Sequence, residues 1–97
     1  MQNINLPILI AKDKDAKKFK NYYKIGWLMM QGNEWTWIVW GNARNLDGAK
    51  KCARLTIKKK GKRQVYLSEN PLSRKIKEQR DKLQLIDITE KIEEEKK

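Results

Sequence analysis

The chain has 97 residues, with 23 Lys and Arg, 12 Asp and Glu, no His and one Cys, for a net charge of +11. Without histidine and with a single thiol, neither a zinc site nor a Ser or Cys triad has its ligands or its base, so the balance of expectations falls on binding rather than catalysis. A charge this large on a chain this short speaks of partners, with nucleic acid and anionic surfaces first.

The charge is uneven. Residues 1 to 80 hold 19 basic and 6 acidic side chains, whereas residues 81 to 97 hold 4 and 6. The acidic end reads as a solubilising tail, or as a shield for a basic surface. Cys52 excludes an internal disulfide and reads as a small, half-buried residue in a reducing cytosol. LPILIA is too short for a signal-peptide core or a membrane span, so the expectation is a cytoplasmic protein with no membrane partner. The chain reads as one domain over 1–97, in four parts: a strand and basic loop (1–21), an antiparallel sheet (22–68), a C-terminal helix (71–90) and a frayed charged tail (91–97).

In chain order, residues 3 to 10, NINLPILI, alternate as a strand, and Pro7 points to an edge or an irregular start. KDKDAKKFKNYYK, residues 12 to 24, suits a short helix or a mobile loop equally. Asp13 and Asp15 within it have the proximity a metal-dependent nuclease uses, but read as solvated loop residues.

The clearest unit is YKIGWLMM-QGNE-WTWIVW, residues 23 to 40, two apolar runs around Gly32-Asn33. A two-residue hairpin loop there sets Met30 opposite Trp35, Leu28 opposite Trp37 and Gly26 opposite Val39 on one face. The other face pairs Met29 with Thr36, Trp27 with Ile38 and Ile25 with Trp40. Successive side chains alternate between faces. The second face has no polar break and is assigned to the core. The first, with Tyr22 and Lys24 on it, becomes the expected working surface.

Residues 49 to 68, AKKCARLTIKKKGKRQVYLS, alternate as a second hairpin over Lys60-Gly61-Lys62, with Ile57 opposite Val65 and Leu55 opposite Leu67. A helix over 47–58 capped by Asp47 is the competing reading. Asn70-Pro71 has the chemistry of a helix start, and Leu72, Ile76, Gln79, Leu83 and Ile86 recur at spacings of 4, 3, 4 and 3, which predicts a helix from 71 to about 84, and onward to 90. The fold class expected is therefore α+β: two successive hairpins, with a possible N-terminal edge strand, packed by one C-terminal helix.

Cationic and aromatic residues mixed along strands suit single-stranded nucleic acid, with cations following phosphates and rings stacking on bases. The expected platforms are Trp35, Trp37, Tyr22 and Tyr66. The expected phosphate partners are Lys24, Arg54, Lys58, Lys59, Lys60, Lys62 and Arg63. The competing roles are core or dimer interface for the tryptophans and a solvated turn for KKKGKR. A homodimer is expected, since aromatics and Met29-Met30 suit an interface core. No metal, cofactor or small-molecule substrate is expected, and no enzymatic activity.

A curved sheet of successive hairpins followed by a long helix is similar in outline, over residues 22 to 84, to the single-strand-binding domains of the positive-cofactor and Pur type, which dimerise and bind single strands with their sheets. The resemblance is one of topology, and no residue role is carried over from it. The Lys- and Ile-rich composition also has the look of a virus- or mobile-element-encoded product. The rival function is a protein-interaction module, an inhibitor or assembly protein, in which the tryptophans contact a protein.

Overall fold

The computed structural model describes residues 6–14, 16–17, 21–31, 34–73, 75–76 and 85–94. It is a mixed α+β fold, a curled six-stranded sheet with one main helix. Strands β1 (Ile8–Lys12), β2 (Tyr23–Gln31) and β3 (Glu34–Ala43) form an antiparallel meander. Helix α1 (Leu46–Lys60) then crosses to β4 (Val65–Ser68), which pairs with β1 in parallel. Two short strands close the edges: β5 (Lys75–Ile76) on β3 and β6 (Leu85–Asp87) on β4, followed by helix α2 (Thr89–Glu94). The spatial order is β5-β3-β2-β1-β4-β6.

The first hairpin has the expected register, with Met30 opposite Trp35, Leu28 opposite Trp37, Trp27 opposite Ile38 and Gly26 opposite Val39. One pairing differs: Ile25 lies opposite Gly41 instead of Trp40, because a bulge shifts the register between Ile25 and Gly26 and leaves Trp40 as the extra residue. Gly26 permits it. A Cβ at this position would lie 2.4 Å from the Ile38 carbonyl oxygen, so only a residue without a side chain lets the strands approach this closely.

The second hairpin is not found; residues 46–60 are α1. Asn45 caps it, its side chain accepting a hydrogen bond from the Gly48 N–H at 2.8 Å, with Asp47 in the first turn. At the other end Gly61, at φ 105° and ψ 165°, donates its N–H to the Ile57 carbonyl. The acid at the start and Lys58, Lys59 and Lys60 in the last turn both suit the helix dipole. The helix buries Ala49, Ala53 and Ile57, one residue per turn and mostly small. Leu55, expected inside the hairpin, is 50% exposed on its outer face.

The helix expected from Asn70-Pro71 is also absent from the described residues. Leu72 forms a bridge with Asp13, Lys75 and Ile76 form β5, and residues 85–87 form β6. Gln79 and Leu83 lie outside the described residues. The expected outline of hairpins followed by a long helix, and with it the topological resemblance, gives way to a meander joined by a helical crossover to a parallel strand.

Strand β1 is central instead of peripheral. Pro7 stands just before it, and its carbonyl still takes part in the pairing with β2, accepting a hydrogen bond from the Leu28 N–H at 2.9 Å. Ile8, Leu9, Ile10 and Ala11 have no exposed surface, because each face of the sheet carries a core. On the α1 side, Ile8, Ile10, Ile25 and Val65 pack with Ala49, Ala53, Ile57, Ile88 and Ile92. On the opposite side, Leu9, Ala11, Leu28 and Trp37 pack with Leu72 and Ile76. Leu72 is tied to the end of β1, donating to the Lys12 carbonyl and accepting from Lys14, while Ile76 is tied to β3 opposite Trp35. Leu72 and Ile76 therefore tie β1 and β3 together and close over the second face of the meander.

Candidate nucleic-acid interface

The second core decides where the expected platforms lie. Trp37 has no exposed surface, and its indole N–H donates to the Leu9 carbonyl at 3.0 Å. It is a core residue. Trp35 is half-buried against the same cluster, and Lys24, on that face between Ala11 and Asn42, is only 9% exposed. The expected working surface of Trp35, Trp37 and Lys24 is thus an interior, because Leu72 and Ile76 come back over it.

The remaining expected residues divide. Tyr22 is half-buried, its hydroxyl accepting from Arg44 Nε at 3.3 Å. Tyr66 packs beside the second core and donates its hydroxyl proton to Gln64 at 2.8 Å. Arg54 is half-buried on α1. These three do not converge. Lys58, Lys59, Lys60 and Lys62 are all exposed and lie together at the C-terminal end of α1, with Arg63 following them.

Arg63 links this cluster to tryptophans on the other face of the hairpin. Its guanidinium lies 4.8 Å from the centre of the Trp27 ring, while Nη2 donates to the Lys60 carbonyl at 2.8 Å and Nε to the Gly61 carbonyl at 3.2 Å. One planar group closes the carbonyl end of the helix and stacks on an indole. The Trp27 ring is in turn 5.3 Å from that of Trp40, tilted by 50°. Trp40 and Ile38 are each 39% exposed.

The result is a row, Arg63, Trp27 and Trp40, bordered by Ile38 and by four exposed lysines. The sequence places these apolar residues in the core under a helix, and a helix does lie on their face. It is too narrow to cover them: a helix about 10 Å across spans about two strands spaced about 4.8 Å apart. The buried residues of α1 share their core with Ile8, Ile10, Ile25 and Val65, while Ile38 and Trp40 on β3 stay exposed. The bulge contributes too, since it sets Trp40 beside Trp27 instead of over Ile25.

Chemically, the row offers flat aromatic faces and positive charge. Among the described residues no three Cys, Asp or Glu side chains group as a metal site, and no helix is long and apolar enough to cross a membrane. Compared with known proteins, the chain matches no family model, no curated protein and no solved structure.

Proposed function

We propose that this chain is a non-enzymatic nucleic-acid-binding protein, favouring single strands with little sequence specificity, and that its contact surface is the row of Trp27, Trp40 and Arg63 with Lys58, Lys59, Lys60 and Lys62. The observation that carries the reading is the half-open Trp27–Trp40 pair standing beside a cluster of exposed lysines in a chain of net charge +11. Bases stack on such rings for about 1 to 3 kcal/mol each, and lysines contribute affinity by releasing counterions from phosphates. Arg63 takes a supporting part, since two of its donors are already committed to the end of α1.

A second reading rests on the exposed Ile38 and Trp40, which also suit a protein interface, for an inhibitor or assembly protein. Binding of a labelled single-stranded oligonucleotide across a salt series separates the two. Affinity that falls steeply with salt, together with quenching of the Trp40 share of the fluorescence (wild type minus Trp40→Phe), supports nucleic acid. Absence of binding at low salt, or binding indifferent to salt, overturns it.

A further inference from the structure

We propose that a single strand seated on the Trp27–Trp40 row continues along the exposed side of α1, its phosphates following Lys59, Lys58 and Lys51. This path rests on the nucleic-acid reading above and gives it a direction and a length. Positions 51, 55, 58 and 59 share one side of a helix, since residues three, four, seven and eight apart line up along it. Lys51, Leu55, Lys58 and Lys59 are all exposed, on the side of α1 turned away from Ala49, Ala53 and Ile57. From Gly48 to Arg63 there are six Lys, two Arg and no acidic residue. Like charges at helical spacing, such as Arg54 and Lys58, repel and weaken a helix standing alone. A polyanion laid along this side relieves that repulsion.

Two observations select this path. The first is continuity: Arg63, at the end of the row, donates to the carbonyls of Lys60 and Gly61, so the row runs straight into the last turn of α1. The second is the charge in the other direction. Past Arg63 lies a cleft lined by Gln64, Asp87, Thr89, Glu90 and Lys91, in which Asp87 and Glu90 are exposed carboxylates. They turn a phosphate backbone away from β6 and α2 and toward the lysines. At the far end of α1, Asp47 stands one turn before Lys51 and is the only acid of the helix, so the basic track stops there. From Lys59 to Lys51 the helix rises about 12 Å. The row adds 5.3 Å between the two indoles and 4.8 Å from Trp27 to Arg63. A track of this length holds several phosphates, as expected of small single-strand-binding domains that occupy about 4 to 16 nucleotides.

Titration of the full chain with oligothymidylates of about 4 and about 12 nucleotides, both inside that span, over a salt series tests it. Trp40→Ala is expected to weaken both strands. Lys51→Gln is expected to lower the slope of log affinity against log salt by about 0.7 for the longer strand and to leave the shorter one unchanged. Leu55→Glu, which sets an acid in the middle of the track, should weaken the longer strand about tenfold and spare the shorter. Circular dichroism checks that the variants fold; if Leu55→Glu disturbs the helix, Lys51→Gln decides. A Lys51→Gln slope equal to that of wild type on the longer strand overturns the path along α1 while the row keeps its role. Failure of both strands to bind at low salt overturns the nucleic-acid reading and this path with it. Vesicles of phosphatidylserine and phosphatidylcholine that bind through Lys51 and Leu55, with no effect of either variant on the longer strand, would assign this side of α1 to a membrane surface and overturn the path as well.

Discussion

The indole N–H of Trp37 donates to the carbonyl of Leu9 at 3.0 Å, reaching from β3 across the face of β2 to the central strand, inside a core that leaves neither residue exposed. Trp37→Ala is therefore expected to cost about 3 to 5 kcal/mol, a large share of a stability of about 5 to 15 kcal/mol. Trp37→Phe keeps most of the volume and loses the donor, at about 1 to 3 kcal/mol. Trp40→Ala, at a half-open position, is expected to cost less, about 0.5 to 1.5 kcal/mol for the lost ring contact with Trp27. Urea unfolding of the three variants checks the order. An unfolding midpoint for Trp37→Ala equal to that of Trp40→Ala would reverse the assignment of faces.

Gly26→Ala tests the bulge. The added Cβ meets the Ile38 carbonyl oxygen at 2.4 Å, and a backbone oxygen cannot swing aside as a flexible side chain would. The expected cost is about 3 kcal/mol, at the upper end for overpacking, read from thermal or urea unfolding. Gly61→Ala should also destabilise, by about 1 to 3 kcal/mol, through its φ of 105° and not through any contact, since nothing lies within 4 Å of the added atom.

Stability at acid pH should carry a signature of Asp87. Its carboxylate accepts hydrogen bonds from the Thr89 hydroxyl and then the Thr89 N–H, and these hold its pKa below the ordinary 3.8. A carboxylate with a lowered pKa stabilises the fold above its unfolded value, and the contribution fades as pH falls through the folded one. Asp87→Ala is expected to cost about 0.5 to 1 kcal/mol at neutral pH, as loss of a capping interaction does. The difference between wild type and variant should close as pH drops below about 3.8. A constant difference down to the lowest pH would exclude the charged form as its source.

For the lysines, neutral replacement of Lys59, Lys60 and Lys62 by Gln should weaken oligonucleotide binding with little change in the unfolding midpoint. Every lysine–phosphate pairing removed in this way lowers the slope of log affinity against log salt by about 0.7 for a single strand. Lys24→Gln, at a 9% exposed position on the closed face, should leave that slope unchanged.

These contrasts also mark what the sequence made legible. Gly32-Asn33 and the flanking runs were enough to specify the register from Met30–Trp35 to Gly26–Val39, because turn length and alternation are local. Which face would be open was not local. It depends on Leu72 and Ile76 returning to β1 and β3, and a spacing of four fits one face of a helix and one face of a strand alike. Helix α1 was obscured for a related reason. Its buried stripe of Ala49 and Ala53 carries little hydrophobic weight, while Leu55, Ile57, Val65 and Leu67 alternate well enough to imitate a hairpin. Asp47 was the better guide, although the cap itself is Asn45 and Asp47 stands in the first turn. The lysine and arginine cluster was visible as KKKGKR, but its aromatic companion was sought at Trp35 and Trp37 instead of Trp27 and Trp40, since nothing in the alternation states how wide a helix is compared with a sheet.

The parallel pairing of β1 with β4 has a kinetic consequence. Ile8 and Val65 meet across the whole of the meander and α1 in the chain, so of the two neighbours of the strand on which both cores depend, β4 is the one with the longer loop to close. Folds dominated by such distant pairings close slowly, in milliseconds to seconds, because loop entropy is spent before the contact repays it. Until then Ile8, Leu9 and Ile10 present an unguarded apolar edge. A newly made chain is thus most vulnerable to aggregation while β4 is still missing, and variants that weaken α1, such as Asn45→Ala, would prolong that interval before they measurably alter the finished fold.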